Sequence, residues 1–450
     1  MVHRTRWGLV TILAVLTSIF ASSGGTFSLA ASRSTHPPVS PTRSGSLVFL
    51  SDQFTPITEA SVMRTKVLAG FHGAVQFIPT DPGPLYDTIQ AQAKAGKMSV
   101  SVVAGLHGDF ALLASQGLLQ NVSPLLQRLE RTRTLSKALV DATGFGQKGA
   151  SYYIPWIQAT YIMAANKKAL PYLPKGATLD TLTYTQLEQW GANIQHATGQ
   201  ALVGFPAGPL GLMHRFFQGY LYPSYTHSTG VTAFRSPQAV QMWTQFKQLW
   251  TVVNPQSTSY GSMDEPLLSG EVWVAWDHTA RLITAVQKKP NDFVLFPAPI
   301  GPMGRGFMPV VAGLAIPKGA PNQQSAQQLI DYLTQPTQQG LILKQLAFFP
   351  GLSNVTVSNL PAPIRLEASA VQVQTASHDA VPSLLPVGLG AQNGEFNKVF
   401  LDTFKRIVLN NEPIQGVLND EGKTLQGVID AAHAPCWSPD PASTGPCHVK

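Results

Sequence analysis

SLVFLSDQFTPITEASVMRTKVLAGFHGAVQFI, residues 46–78, sets an apolar run, a helix-compatible stretch and a second apolar run in direct succession. Ser46–Phe49 (SLVF) and Val75–Ile78 (VQFI) read as strands, short and rich in β-branched and aromatic side chains. Pro56–Phe71 reads as the helix between them. The alternation continues with a helix over Leu85–Ala95, a strand over Val100–Val103 and a short helix over Phe110–Gly117. Strand–helix–strand order at this spacing predicts right-handed crossovers and a parallel sheet covered by helices. Ligands of such sheets sit beyond the carboxyl ends of the strands. Ser51-Asp52-Gln53 follows the first strand and His107-Gly108-Asp109 follows the third, so both can face one crevice.

Downstream the texture changes. Tyr152–Ala164 (YYIPWIQATYIMA) is a long β-rich run broken by Pro155, suited to strands that pass between two lobes. Amphipathic helices are expected at Thr183–Gln195 and Pro237–Trp250, with Thr183 and Ser236 as N-caps. A strand-like VVAGLAI follows Pro309, then helices over Ser325–Thr334 and Gly340–Leu346, and a last one from Asn393 to Leu409. No internal repeat is visible. This order predicts an α/β chain of two lobes, each built from two separated segments.

Composition narrows the function. Apolar residues make up 44% of the 450 and charged residues 12%, enough for two sizeable cores. The net charge of +7 has no Lys/Arg tract behind it, which argues against nucleic acid as a partner. Arg4, Arg6 and the apolar run Gly8–Phe20 (GLVTILAVLTSIF) read as a secretory leader, with Ser28 and Ala30 suiting its cleavage site. The run is shorter than the ~20 residues that span a bilayer. Export is therefore expected, to the cell envelope or beyond it; an uncleaved leader would act as a tether. Ser/Thr/Pro-rich residues 32–45 read as a flexible linker. Cys436 and Cys447, the only cysteines, flank WSPDPASTGP and are expected to pair as a clasp on the tail. There is no His pair at metal-ligand spacing, no Gly-x-Ser-x-Gly elbow and no phosphate loop, so no metal, cofactor or catalytic residue is nominated. Tyr152-Tyr153 has the form of a paired-tyrosine ferric site but lacks a clustered His and carboxylate.

Four stretches in register resemble the bacterial extracellular solute-binding proteins of the sugar, maltose-binding-like type. They are LVFLSDQ (Leu47–Gln53), SVVAGLHGDFALLASQGLLQNVSPL (Ser101–Leu125), YYIPWIQATYIMAANKKAL (Tyr152–Leu170), and LLSGEVWVAWDHTARL (Leu267–Leu282) followed by Gly313–Pro317 (GLAIP). The resemblance implies a two-lobed periplasmic-binding-protein-like fold of type II, each lobe a sheet flanked by helices, joined by a hinge. The segments would be 46–160 and 312–360 for the first lobe, 161–311 and 361–433 for the second, with 434–450 as a disulfide-bearing tail after a leader over 1–31. It also implies a monomer that carries a sugar to the membrane permease of an ABC importer. The alternatives are a non-sugar solute in the same fold, such as a polyol, glycerophosphodiester, polyamine or metal, or a secreted carbohydrate-active enzyme. Two positions depart from the family. Lys97-Met98-Ser99 stands where an Asp precedes the third strand, and Ala159 stands where a sugar-binding acid falls, so that contact is lost or moved to Gln158.

A sugar needs carboxylate, amide, His or Arg groups for its hydroxyls and an aromatic ring for its C–H face. Asp52, Gln53, His107 and Asp109 are the candidates on the first lobe; Asp52 and Asp109 also have the bland reading of helix caps. Trp156 stands on the hinge strand, with Gln158 two residues on and expected on the same side. Trp276, Asp277 and His278, after the strand-like VWVA, and Arg281 one helical turn later, are the candidates on the second lobe. His214, Arg215 and Tyr220 are weaker ones, beside Phe216 and Phe217, which read as core. Phe307 and Met308 can line the cleft.

Overall fold

A computed structural model describes residues 46–54, 57–135, 137–145, 147, 149–352 and 360–450. The expected leader (1–31) and linker (32–45) lie outside the described residues. The chain opens with β1 (Leu47–Ser51), α1 (Ile57–Val62), β2 (Val75–Pro79), α2 (Pro82–Lys94), β3 (Val102–Leu106) and α3 (His107–Ser115). Helices α4 (Ser123–Glu130) and α5 (Lys137–Ala142) lead to β4 (Ile154–Ala159) and β5 (Tyr161–Asn166). Next come α6 (Tyr184–Thr198), β6 (Val203–Gly204), α7 (Met213–Phe216), α8 (Tyr222–Thr226), α9 (Pro237–Trp250) and α10 (Asp264–Ser269). Strand β7 (Val274–His278), α11 (Thr279–Lys288), β8 (Phe293–Phe296), β9 (Arg305–Phe307) and β10 (Val310–Ala315) follow. The remainder is α12 (Gln323–Leu333), α13 (Pro336–Leu346), β11 (Phe349–Pro350), α14 (Ala362–Ala376), β12 (Ala380–Pro382), α15 (Asn393–Phe404) and α16 (Ile414–Ala432).

These strands form two main sheets. The first has the order β11-β4-β10-β3-β1-β2, and the second β6-β7-β5-β8. β1 lies parallel to β2 and to β3, as the opening alternation requires, while β10 runs antiparallel between β3 and β4. Both faces of the first sheet are covered, Leu47 and Phe49 packing on one and Val48 and Leu50 on the other. That is why β1 reads as an unbroken apolar run. The second sheet buries Tyr161, Met163, Val274 and Trp276 in a large aromatic core with α6, α9 and the 213–225 segment.

Only Thr160 separates β4 of the first sheet from β5 of the second, and that crossing is knotted. Thr160 Oγ1 donates to the Met308 carbonyl (2.9 Å), accepts from Gln374 Nε2 (3.2 Å) and touches the Tyr220 hydroxyl (2.9 Å). Tyr220 in turn accepts from the Tyr161 N–H (2.8 Å) and donates to the Tyr161 carbonyl (2.9 Å). Gln374 also bonds the Tyr161 carbonyl and the Ala298 N–H. All three side chains are buried, so no water replaces a lost partner. Tyr220→Phe is expected to destabilise the protein by roughly 1–3 kcal/mol. An unchanged urea midpoint would show that the crossing holds without this hydroxyl.

Several sequence expectations are corrected here. The third strand begins at Val102, where it pairs with Phe49, and runs to Leu106. Trp276, Asp277 and His278 lie inside β7 rather than after it, paired with Met163, Ile162 and Tyr161. Asn393–Leu409 is not the last helix, since α16 follows and, at 19 residues, is the longest among the described residues. Thr183 and Ser236 do cap α6 and α9, Thr183 within a full capping box with Gln186. Cys436 and Cys447 are joined, and the tail they close is pinned by Asp440, which accepts from Thr232 (2.6 Å) and Thr229, and by Arg235 on the Val449 carbonyl (2.6 Å).

Candidate functional site

Asp52 and Gln53 leave the end of β1 in a tight turn that needs φ = 61° at Phe54, an uncommon conformation for a side chain that bulky. The Asp52 N–H bonds the Ala104 carbonyl (3.1 Å), and Gln53 Nε2 donates to Asp52 Oδ1 (2.7 Å). Asp109 meets Asp52 from the first turn of α3. It does not cap that helix, which starts two residues earlier at His107 with Leu106 in the cap position. Each aspartate keeps one buried oxygen, Oδ2, to which no protein group donates. A proton held between the two carboxyls and the nearby Leu106 N–H both offset this. Burial, then the charge of Asp109, pushes Asp52 well above the usual carboxylate range, and burial also raises Asp109. Both carboxyls are thus held above the usual range, and the pair titrates as a unit.

A basic pole faces this acidic one. Arg215, on α7, is close enough to Asp109 for each to favour the other's charge. Among the described residues its guanidinium makes one hydrogen bond, a long one from Nη1 to Gln218 Oε1 at 3.4 Å, so most of its five donors remain available. Tyr161 feels both Arg215 and Arg281, and its ring lies flat on Trp276 with centroids 4.8 Å apart. Burial and the neighbouring arginines keep His214 and His278 neutral, His278 with its pKa lowered to about 3. His278 Nδ1 accepts from the Ala280 N–H (3.2 Å) and so caps α11. Arg281 donates to the Gly261 carbonyl (2.7 Å) and lies 3.8 Å from Asp277. The backbone closes tightly beside this cluster: a Cβ on Gly108 would stand 2.3 Å from the Pro386 carbonyl oxygen.

Asp52, Gln53, Asp109, His278 and Arg281 are thus brought into one region, together with Arg215, His214 and Tyr161. The other candidates go elsewhere. Trp156 and Trp276 are fully buried, the first against Phe49 and Phe54, the second against Tyr161, Tyr220 and Phe216. Asp277 is a scaffold group: its oxygens accept from the Met263 and His278 N–H groups (2.8 and 2.7 Å), and burial raises its pKa to about 6. His107 and Gln158 line a cavity of about 790 Å³ whose walls include none of the charged side chains of that region. His107 bonds the Tyr153 hydroxyl (2.9 Å) and Gln158 the Pro350 carbonyl (2.9 Å). Trp156 and Gln158 do not share a face, because a bulge lets Ile157 and Pro155 pair with successive residues of β10 and leaves Trp156 between them. Tyr161 escaped the sequence reading; the available signal was an aromatic residue immediately after the lobe crossing.

The sequence pattern of the bacterial extracellular solute-binding proteins matches residues 69–363. The chain belongs to that family. Solved structures agree in fold. This solute-binding protein superposes on maltose-bound MalE3 of T. maritima with a TM-score of 0.68 at 18% identity, covering 85% of this chain and 100% of that one. UgpB of Mycobacterium tuberculosis, in complex with glycerophosphocholine, gives 0.66 at 18% identity over 86% and 100%. The GacH receptor of Streptomyces glaucescens, solved unliganded and with acarbose, gives 0.65 at 16% identity over 86% and 99%. No curated protein sequence matches. The fold is the two-lobed periplasmic-binding-protein type, and family membership implies an exported protein. Among the described residues no helix is long and apolar enough to cross a membrane, and no group of three His, Cys, Asp or Glu side chains could hold a metal ion.

Proposed function

We propose that this protein captures a sugar or similar polyhydroxylated solute between its lobes and delivers it to the permease of an ABC importer, acting as a monomer without catalysis. The observation that carries the reading is the pair of buried aspartate oxygens with no donor, facing an under-used guanidinium from the other lobe. A vicinal diol supplies what the cluster lacks: its O–H groups donate to Asp52 and Asp109, and its oxygens accept from Arg215 and Gln53. Tyr161 and the neutral imidazoles of His214 and His278 are the remaining contacts. The lobe segments proposed are 46–160 with 312–360 and 161–311 with 361–433, supported by the division of the strands between the two sheets. The solute makes both sets of contacts only when the lobes are together, so binding shifts the population toward closure.

Arg215 favours one variant of this reading, in which the solute also carries an anionic group, as a glycerophosphodiester does. A thermal-shift and calorimetric screen of mono-, oligosaccharides and glycerophosphodiesters tests both. A ligand-dependent rise in Tm without product formation is the expected result. Turnover of the ligand would sink the binder reading. A ligand that binds equally well to Asp109→Ala and Arg215→Met would sink this placement of the site.

A further inference from the structure

After α16 the tail folds back on the large aromatic core of the second sheet, where Trp437, Cys447 and Val449 are buried. The Cys436–Cys447 bond closes a ring in it, and the ring is pinned on both sides. Gln426 of α16 donates to the Cys447 carbonyl (3.1 Å) and accepts from the Val449 N–H (2.8 Å), while Asp440 accepts from Thr229 and Thr232. A closed ring has fewer arrangements to lose than an open tail, so the contacts it makes are held at lower entropic cost.

Three further contacts of this tail fall on one stretch, residues 384–396. The Ser438 carbonyl accepts from the Leu384 N–H (2.9 Å), Trp437 meets Phe396 edge-on with centroids 5.5 Å apart, and a Cβ on Gly388 would stand 3.2 Å from Pro435. The same stretch bears on α3, the helix that carries Asp109 and packs on β3 and β10. Its Pro386 carbonyl closes on Gly108, and a Cβ on Gly390 would stand 2.9 Å from Leu112. It also reaches the basic pole. Ser383 donates to the Gln218 carbonyl (3.0 Å), and Asn397 accepts from Gln218 Nε2 (2.9 Å). The side-chain oxygen of that buried Gln218 is the one that accepts from Arg215. Residues 383–397 thus touch the supports of both Asp109 and Arg215, and the tail lies behind them.

We propose that the disulfide-closed tail is a positioning element for the charged cluster, holding residues 383–397 so that α3 presents Asp109 to Arg215. Its consequence for solute capture rests on the reading of that cluster as the solute site; the coupling between tail and cluster does not. With the ring opened, the stretch loses its backing, α3 and α7 lose a common support, and the two poles separate.

The test uses the full chain without solute. In Cys436→Ser/Cys447→Ser, amide hydrogen exchange is expected to speed up about tenfold in residues 384–392 and 107–115, and by less than about twofold in α12, which lies on the other face of the first sheet from α3. The Asp109 carboxyl, followed by 13C NMR of labelled aspartate and assigned with Asp109→Asn, is expected to titrate at higher pH in that variant, because Arg215 no longer favours its charge. Asp440→Ala unpins the ring with its bond intact and is expected to move both readouts the same way by a smaller amount. Faster exchange confined to residues 434–450, equal acceleration in α12, or an Asp109 titration unchanged in both variants overturns the proposal. Should solute binding survive Asp109→Ala and Arg215→Met, the reading of the cluster falls, while exchange and titration still decide the coupling.

Discussion

Asp109→Ala is expected to weaken solute binding by roughly 30- to 150-fold, a loss of about 2–3 kcal/mol, without altering the far-UV circular dichroism. Burial raises the carboxyl pKa of both Asp52 and Asp109, and neither Oδ2 has a hydrogen-bond partner within the protein. A bound solute supplies those donors. It then pays no cost to displace a protein group, since none is bonded there. With Asp109 removed, Asp52 stands alone opposite Arg215 and half of the acceptor set is missing. The pH dependence has a definite sign. Hydroxyl donors stabilise the ionised pair, so binding lowers the raised carboxyl pKa values and releases a proton. Affinity therefore rises with pH through the range in which the unliganded pair gives up its shared proton. Calorimetry in buffers of different ionisation enthalpy measures that proton directly. Unchanged affinity in Asp109→Ala, or proton uptake on binding, would overturn the assignment of this pair to the solute.

What could be read from the chain was decided by how local the cause is. The opening alternation was legible because β1 is buried on both faces, β2 is a short run rich in Val, Ile and Phe, and α2 begins at a Pro-rich turn. The caps Thr183 and Ser236 were legible because capping acts over three residues. The aromatic geometry of the hinge was not. Alternation placed Trp156 and Gln158 on one side, but the bulge opposite Ala312 and Gly313, set by pairing with a strand some 150 residues away, separates them. Trp276 and Asp277 drew notice as an aromatic–acid cluster, yet strand pairing with β5 turns Trp276 into the core and Asp277 toward the Met263 N–H. Arg215 carries the strongest signal in the folded chain and among the weakest in the sequence. Its importance arises only when folding brings its charge within reach of Asp109, and nothing near residue 215 announces that partner. Helix α16 is a different case. Ile414, Val417, Leu418, Leu425, Val428 and Ile429 follow a helical period after Pro413, so that element was readable and overlooked.

Glu367→Gln is expected to stabilise the protein by roughly 2–4 kcal/mol at pH 7 and by little near pH 4. Glu367 lies on α14, fully buried, and neither carboxyl oxygen has a hydrogen-bond partner. Burial alone holds its pKa well above the usual carboxylate range, with no cation near enough to oppose it. The folded chain therefore keeps a proton that the unfolded chain releases near pH 4.3, and each pH unit above that point costs about 1.4 kcal/mol until the folded group ionises. Wild-type stability thus falls as pH rises from 4 toward neutrality. Gln has nearly the shape of the protonated acid and cannot ionise, so it removes the pH-dependent cost while leaving the unpaired polar atoms in place. Glu367→Leu removes those atoms too and is expected to gain further, provided that Ile364 and the neighbouring Leu343 and Ile283 accommodate it. Urea unfolding of the wild type and both variants at pH 4.5 and 7.5 separates the two contributions. The wild-type midpoint should drop between those values by more than that of Glu367→Gln. Parallel pH profiles for the two would show that Glu367 is ionised in the folded protein and finds a partner in solution, which would overturn the account of its burial.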